Sequence, residues 1–167
     1  MGDNRVRLNP RVAPRHYSYR VDHDLGFAPH VERNVATVCG CKITTIERWA
    51  EVGSWIIGTG GNRTGRPNRL VYAMEVTDTP TVAEFRALHP KNARYLSGRP
   101  IDDDARVLVS RGKYFYFGAS ALPIPRALAH IIHPTQGCRR VSDSDIALLH
   151  REVLSRFHPG KHGTPSG

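Results

Sequence analysis

The chain has 167 residues, 40% of them hydrophobic, which suits one compact domain with tails and is too short for two full domains. Lys and Arg outnumber Asp and Glu by 24 to 15, a formal charge of +9, so the composition argues against an acidic scaffold and for a partner rich in phosphate, or for a soluble protein that is merely basic. Lys stands only at positions 42, 91, 113 and 161, so Arg carries the excess; Arg forks phosphate oxygens bidentately where Lys offers a point charge, although a GC-rich genome produces the same bias.

Residues 1–15, "MGDNRVRLNPRVAPR", hold four Arg and two Pro with no helical or strand period and read as a flexible basic arm. "HYSYRV" alternates Tyr17, Tyr19 and Val21 with polar neighbours, the period-two sign of a half-buried strand, and "DHDLGFAPH" follows as a loop punctuated by Gly26 and Pro29. Thr44 with Glu47 three residues on forms a capping box, placing Ile43, Ile46, Trp49 and Ala50 on one face of a short helix that Gly53 ends. "SWIIG" and "RLVYAMEVT" predict an antiparallel pair with Leu70, Tyr72, Met74 and Val76 on one face. "TPTVAEFRALHP" predicts a helix capped by Thr81 and Glu84, with Val82, Phe85 and Leu88 along one side.

Residues 89–104, with Asp102, Asp103 and Asp104, show no period and read as an exposed excursion. "ARVLVS" and "KYFYFG" predict a tight hairpin about Arg111 and Gly112. "ALPIPRALAHIIHP" has room for one helical turn. In "SDSDIALLHREVLSRF", Ser142 caps a helix whose stripe is Ile146, Leu149, Val153 and Phe157. Residues 158–167 read as a disordered tail by composition. Strands therefore dominate, which predicts a small twisted or barrel-like α+β sheet without the regular strand and helix alternation of a Rossmann fold.

"GTGGNRTGRPNR", residues 58–69, invites a phosphate-loop reading. Gly60 and Gly65 have the Walker spacing, but Arg66 and Pro67 stand where Lys and a hydroxyl are required, and Arg63 occupies the third glycine of a dinucleotide fingerprint begun at Gly58. What survives is a flexible hairpin loop with Arg63, Arg66 and Arg69, suited to backbone phosphates or simply solvated. Cys39, Cys41 and Cys138 make no disulfide framework, and Cys-x-Cys alone makes no zinc site, so the thiols read as reduced and buried, with no metal and no cofactor. With no charged-then-apolar leader and no apolar run near the ~20 residues of a membrane helix, the expectation is a cytoplasmic protein without membrane contact. Asp22 and Asp24 flank His23 at a strand end, where sites gather and turn chemistry also places Asp. The strand and loop aromatics belong mostly to the core, and a basic chain with this many can also stack a flipped or single-stranded base.

Four pieces, "YSYRVDHDLGFAPH", "ATVCGCKITTIERWAEVGSWIIGTGG", "RLVYAMEVTDTPTVAEF" and "RVLVSRGKYFYFGASALPIP", resemble the nucleotide modification associated domain family, second type, over roughly residues 16–157. Members occur with systems that modify DNA bases. The family's Gly-Asp-Trp step is Gly53, Ser54, Trp55 here; its Asn after Gly-Phe-Ala-Pro is His30, and its Pro after Cys-Lys is Ile43. The order of elements is also similar to the EVE, YTH and ASCH group of the PUA-like fold. There, some members hold a modified base in an aromatic pocket and some hydrolyse modified nucleosides.

The resemblance implies an α+β, PUA-like (EVE-like), mostly antiparallel β-barrel with short flanking helices and a C-terminal helix, spanning residues 16–157. The leading expectation is a nucleic-acid-binding domain, with DNA as the first partner, that recognises a modified or flipped base. Tyr17, Tyr19, Phe27 and Trp55 would receive the base and Arg63, Arg66 and Arg69 the phosphates. The enzyme alternative modifies or hydrolyses a nucleotide or nucleobase in the same pocket, with Asp22, Asp24, Lys42 and Thr59 as acid-base candidates. A third alternative is a small defence-system protein held by partner proteins of a base-modification system.

Overall fold

The β-branched and aromatic residues of "HYSYRV" and "WIIGTG" form two neighbouring strands, β1 (His16–Val21) and β4 (Trp55–Gly60). These run parallel, with Tyr17 opposite Ile56 and Val21 opposite Gly60. A parallel pair needs a long crossover, and it passes through β2 (His30–Glu32), β3 (Val35–Val38) and α1 (Thr44–Trp49). The computed structural model describes residues 13–26, 29–39, 44–91, 102–135 and 137–166; Phe27, Cys41, Lys42, Ile43 and the first twelve residues of the basic arm lie outside them.

The remaining strands are β5 (Arg69–Glu75), β6 (Leu108–Arg111), β7 (Tyr114–Tyr116), β8 (Leu122–Pro123), β9 (Cys138–Val141) and β10 (Gly160–Lys161); the other helices are α2 (Val82–Leu88) and α3 (Asp143–Glu152). The larger sheet runs β10-β7-β5-β4-β1-β9, with β8 also on β5, and a second sheet runs β2-β3-β6. Most pairings are antiparallel; β1 with β4 and β7 with β10 are parallel. The α+β class is as expected. The closed barrel is not, because β9 and β10, at the two ends of the larger sheet, do not pair with each other.

Both faces of this sheet are covered. One carries Tyr17, Tyr19, Val21, Ile56, Tyr72, Met74 and Tyr116. The other carries Ile57, Leu70, Ala73 and Phe115 beneath α3 and the 3₁₀ turn Arg126–Ile131. β1 is therefore buried on both sides and not half-buried, and even Ser18 is fully buried, its hydroxyl donating to the Ile131 carbonyl at 2.6 Å. The β4–β5 hairpin forms as the sequence predicts, but its register shifts between Gly58 and Thr59, leaving Val71 as an extra residue between the Tyr72 and Leu70 pairings. One extra residue inverts the facing of what lies beyond it, so Leu70 joins the α3 side while Tyr72 and Met74 stay on the other.

Capping forms as expected at α2 and α3, while the Thr44 side chain, expected to cap α1 with Glu47, lies outside what the structure describes. Thr81 and Glu84 cap α2 reciprocally, as do Ser142 and Asp145 at α3. Two residues assigned to helical core faces are exposed, Trp49 at 52% and Leu88 at 66%; each is the last residue of a helix of about two turns. The strands flanking Arg111 and Gly112 do not pair with each other. Gly112 takes φ +68 and hands the chain from β6, bonded to β3, across to β7, bonded to β5.

Within residues 158–166, expected to be disordered, Gly160 and Lys161 add a strand to the larger sheet. β10 pairs with β7, the His162 amide donates to the Tyr116 carbonyl at 2.7 Å, and the Ala119 amide donates to the Thr164 carbonyl at 2.7 Å. Small residues allow this close crossing: a Cβ on Gly118 would sit 2.0 Å from the Thr164 oxygen and one on Gly163 1.8 Å from the Phe117 oxygen.

Candidate functional site

Hydrogen bonds within the arginine loop frame it. After β4 the chain makes a 3₁₀ turn, Asn62–Thr64, and Gly65 and Asn68 take positive φ. The buried Thr64 hydroxyl donates to the Gly61 carbonyl at 2.7 Å and accepts the Arg66 amide at 3.1 Å, while the Asn68 amide closes the loop on the Gly60 carbonyl at 2.8 Å.

This frame separates the three arginines. Arg63 turns to His23, donating from Nη1 to its Nε2 at 3.2 Å. Arg66 and Arg69 instead line one open cleft of about 670 Å³ together with Gly65, Pro67 and Ala119 to Leu122. Each is fixed through Nε, Arg66 to the Ala119 carbonyl at 2.6 Å and Arg69 to the Ala121 carbonyl at 2.9 Å. Arg66 Nη1 also reaches the Gly65 carbonyl at 3.2 Å. Among the described residues, the lining contains no carboxylate. Two guanidinium groups whose orientation is set by backbone carbonyls, with no acidic neighbour among the described lining residues, present a preorganised positive site.

Of the residues expected to receive a base, the described Tyr17, Tyr19 and Trp55 do not converge. Tyr17 and Tyr19 are buried at 3% and 2% exposure; the Tyr19 hydroxyl meets the Tyr72 hydroxyl at 2.6 Å, and the Arg140 guanidinium lies 5.7 Å from the Tyr17 ring centre. Trp55 packs on the opposite face of the sheet, edge-on to His150 at 4.6 Å. Period-two reading cannot show this, since Trp55 follows the β1 tyrosines only through the unseen register of β1 on β4. His16 ties the two strands: its Nδ1 accepts the Trp55 amide at 2.9 Å, so Nε2 carries the proton that it donates to Asp143 at 2.6 Å.

Among the acid-base candidates, Asp24 has the most perturbed surroundings. It is fully buried, and burial raises its carboxyl above the ordinary 3.8 although hydrogen bonds from Tyr116, Ser166 and Gly26 work the other way. Burial also raises the Tyr116 hydroxyl, with Asp24 adding to the effect. Thr59 is buried and donates to the Tyr19 carbonyl at 3.2 Å, and Asp22 lies near the surface, 3.7 Å from Arg20 Nε. Lys42 and Phe27 lie outside the described residues. Cys39 and Cys138 are partly buried and not disulfide-bonded, and no group of three or more His, Cys, Asp or Glu among the described residues is placed to hold a metal ion. No helix among them is long and apolar enough to cross a membrane.

Sequence reasoning missed the cleft's second wall, Ala119 to Leu122, because small residues after a strand carry no chemical signal. Nor does it reveal that His162, just after β10, stacks on Phe117.

Fold and site thus define a small α+β domain built on a mostly antiparallel sheet, with an arginine-lined cleft where the β4–β5 hairpin meets the turn after β7. Residues 13–106 match the model of nucleotide modification associated domain 2, and the chain belongs to that family. Its role is accordingly linked to nucleotide modification. No curated protein and no solved structure matches the chain.

Proposed function

We propose that the chain is a nucleic-acid-binding domain serving a DNA base-modification system, with the strand's phosphates seated on Arg66 and Arg69. The observation that supports this is their shared cleft. Both guanidiniums are oriented by protein carbonyls and no carboxylate among the described residues lines the cleft, so an external anion is the natural counter-charge. The net charge of +9 and the family's link to nucleotide modification point the same way. The β4–β5 hairpin leading to a capped helix is also the part of the layout that resembles PUA-like base readers. Binding of a labelled single strand, measured at low and moderate salt, tests the reading. Affinity should fall steeply with salt and fall further in the R66A/R69A double variant. Salt-insensitive binding, or none, would sink it.

A second reading, an enzyme acting on a nucleotide or nucleobase, draws on Asp24, whose raised carboxyl and tyrosine partner form the kind of pairing that proton transfer uses. Incubation with plain and modified nucleosides followed by mass spectrometry separates the two readings. A binding domain leaves every mass unchanged, and an enzyme does not.

A further inference from the structure

The described lining of the arginine cleft offers two guanidiniums but no aromatic ring, and the two β1 tyrosines are buried. We infer that His162 is the base-stacking platform of this protein, so that a single strand lies across the turn Gly118–Ser120 with phosphates on Arg66 and Arg69 and a base on the imidazole. The inference rests on the nucleic-acid reading above and adds the residue that receives the base.

His162 is exposed yet held at every point that sets its ring. Its amide donates to the Tyr116 carbonyl at 2.7 Å, and Nε2 meets the His158 carbonyl at 2.6 Å; a carbonyl only accepts, so Nε2 carries the proton. One ring face stacks on Phe117 at 5.5 Å between centres and 22° between planes. Phe157 braces the pair edge-on, 5.3 Å from His162 and 5.0 Å from Phe117. A ring backed by a buried aromatic and exposed at the surface is how proteins present stacking faces to unpaired bases, and a rigid ring loses little entropy on binding. Nδ1 has no hydrogen-bond partner among the described residues and can accept from a donor on a base edge.

The position fits a strand. Phe117, beneath the imidazole, is followed directly by the Gly118–Ser120 turn, and Ala119 and Ser120 of that turn line the arginine cleft. The Ala119 amide is bonded to Thr164, two residues beyond His162. Platform and cleft therefore share one small rigid unit. Both the turn and His162 lie outside residues 13–106, the family-matched part of the chain.

The test compares a fluorescein-labelled ten-residue oligothymidylate with an abasic oligonucleotide of equal length, on the full chain and on H162L, H162F and R66A/R69A. H162L should weaken the thymidylate strand roughly tenfold, the scale of one lost stacking contact, and leave the abasic strand within about twofold, since phosphates carry that affinity. H162F should keep both, and R66A/R69A should weaken both. In the unaltered protein, the His162 ring protons should shift upfield on adding the thymidylate strand and stay in place with the abasic one, a readout independent of any effect of substitution on folding. Unmoved ring protons, or equal H162L losses on the two strands, overturn the platform while arginine-dependent binding survives. If the natural chain binds neither strand, the nucleic-acid reading itself fails and the platform with it.

Discussion

The Tyr116 hydroxyl lies 3.0 and 2.8 Å from the two carboxylate oxygens of Asp24 and donates into the space between them, and the Ser166 amide reaches the same carboxylate at 3.4 Å. One buried acid thereby joins β7, the segment after β1 and the chain's end. Burial raises its carboxyl above 3.8, so between that value and the raised one the native state holds a proton that the unfolded chain has lost. The group's contribution to stability is then full below the unfolded value and is lost as pH rises through the folded one. Asp24→Asn keeps an acceptor for Tyr116 and never ionises. Its urea midpoint should therefore lose less than that of the natural protein between about pH 4 and about pH 7; equal losses in both proteins would reject this account.

The C-terminal strap should be a cooperative part of the sheet. A methyl at Gly163 would meet the Phe117 carbonyl at 1.8 Å, against backbone that has nowhere to go. Gly163→Ala should release residues 160–166 and deprive Asp24 of its Ser166 donor. Amide exchange at Ala119 and His162, slow while their bonds to Thr164 and Tyr116 persist, should accelerate by more than tenfold, on the order of 1.4 kcal/mol of local opening. Unchanged protection at both amides would show that the crossing tolerates the methyl.

Arg106 closes the end of α1. Its Nη1 donates to the Glu47 and Arg48 carbonyls at 3.1 and 3.0 Å and its Nη2 to the Ala50 carbonyl at 2.7 Å, three acceptors that the helix itself leaves open. A lysine keeps the charge but not the planar fork. Arg106→Lys should destabilise the fold by about 1 to 2 kcal/mol, read in urea denaturation, and Arg106→Ala by more. If lysine matches arginine, charge near the helix end and not fork geometry is what matters.

What the sequence discloses is what depends on near neighbours. The Thr81–Glu84 box, the Ser142 cap and the β4–β5 hairpin involve residues close in the chain, and each is as expected. What it conceals is set by distant partners. Leu70 changes face because one residue of β5 has no opposite number in β4. Gly112 looks like a hairpin turn until β3 claims β6. The strap looks disordered because "GKHGTPSG" has almost no apolar surface, yet backbone hydrogen bonds to β7 and to Ala119 order it. The candidate site divides the same way. The arginines are legible as charge, whereas their wall, the opposite facing of Trp55 and Tyr17, and the stacking of His162 on Phe117 follow only from the register of β1 on β4 and the pairing of β10 on β7.

The three loop arginines should not be equivalent. Arg66 and Arg69 share the cleft, while Arg63 lies outside its lining and is directed to His23. Each phosphate contact on a single strand adds about 0.7 to the slope of log affinity against log salt, through counterion release. Arg66→Ala and Arg69→Ala should each lower that slope by about 0.7, whereas Arg63→Ala should leave it unchanged and shift affinity only slightly. Anisotropy titrations of one labelled strand between about 50 and about 200 mM salt measure all three. A loss in Arg63→Ala equal to that in Arg66→Ala would move the phosphate path from the cleft to the outer edge of the loop, away from the Ala119 wall and from His162.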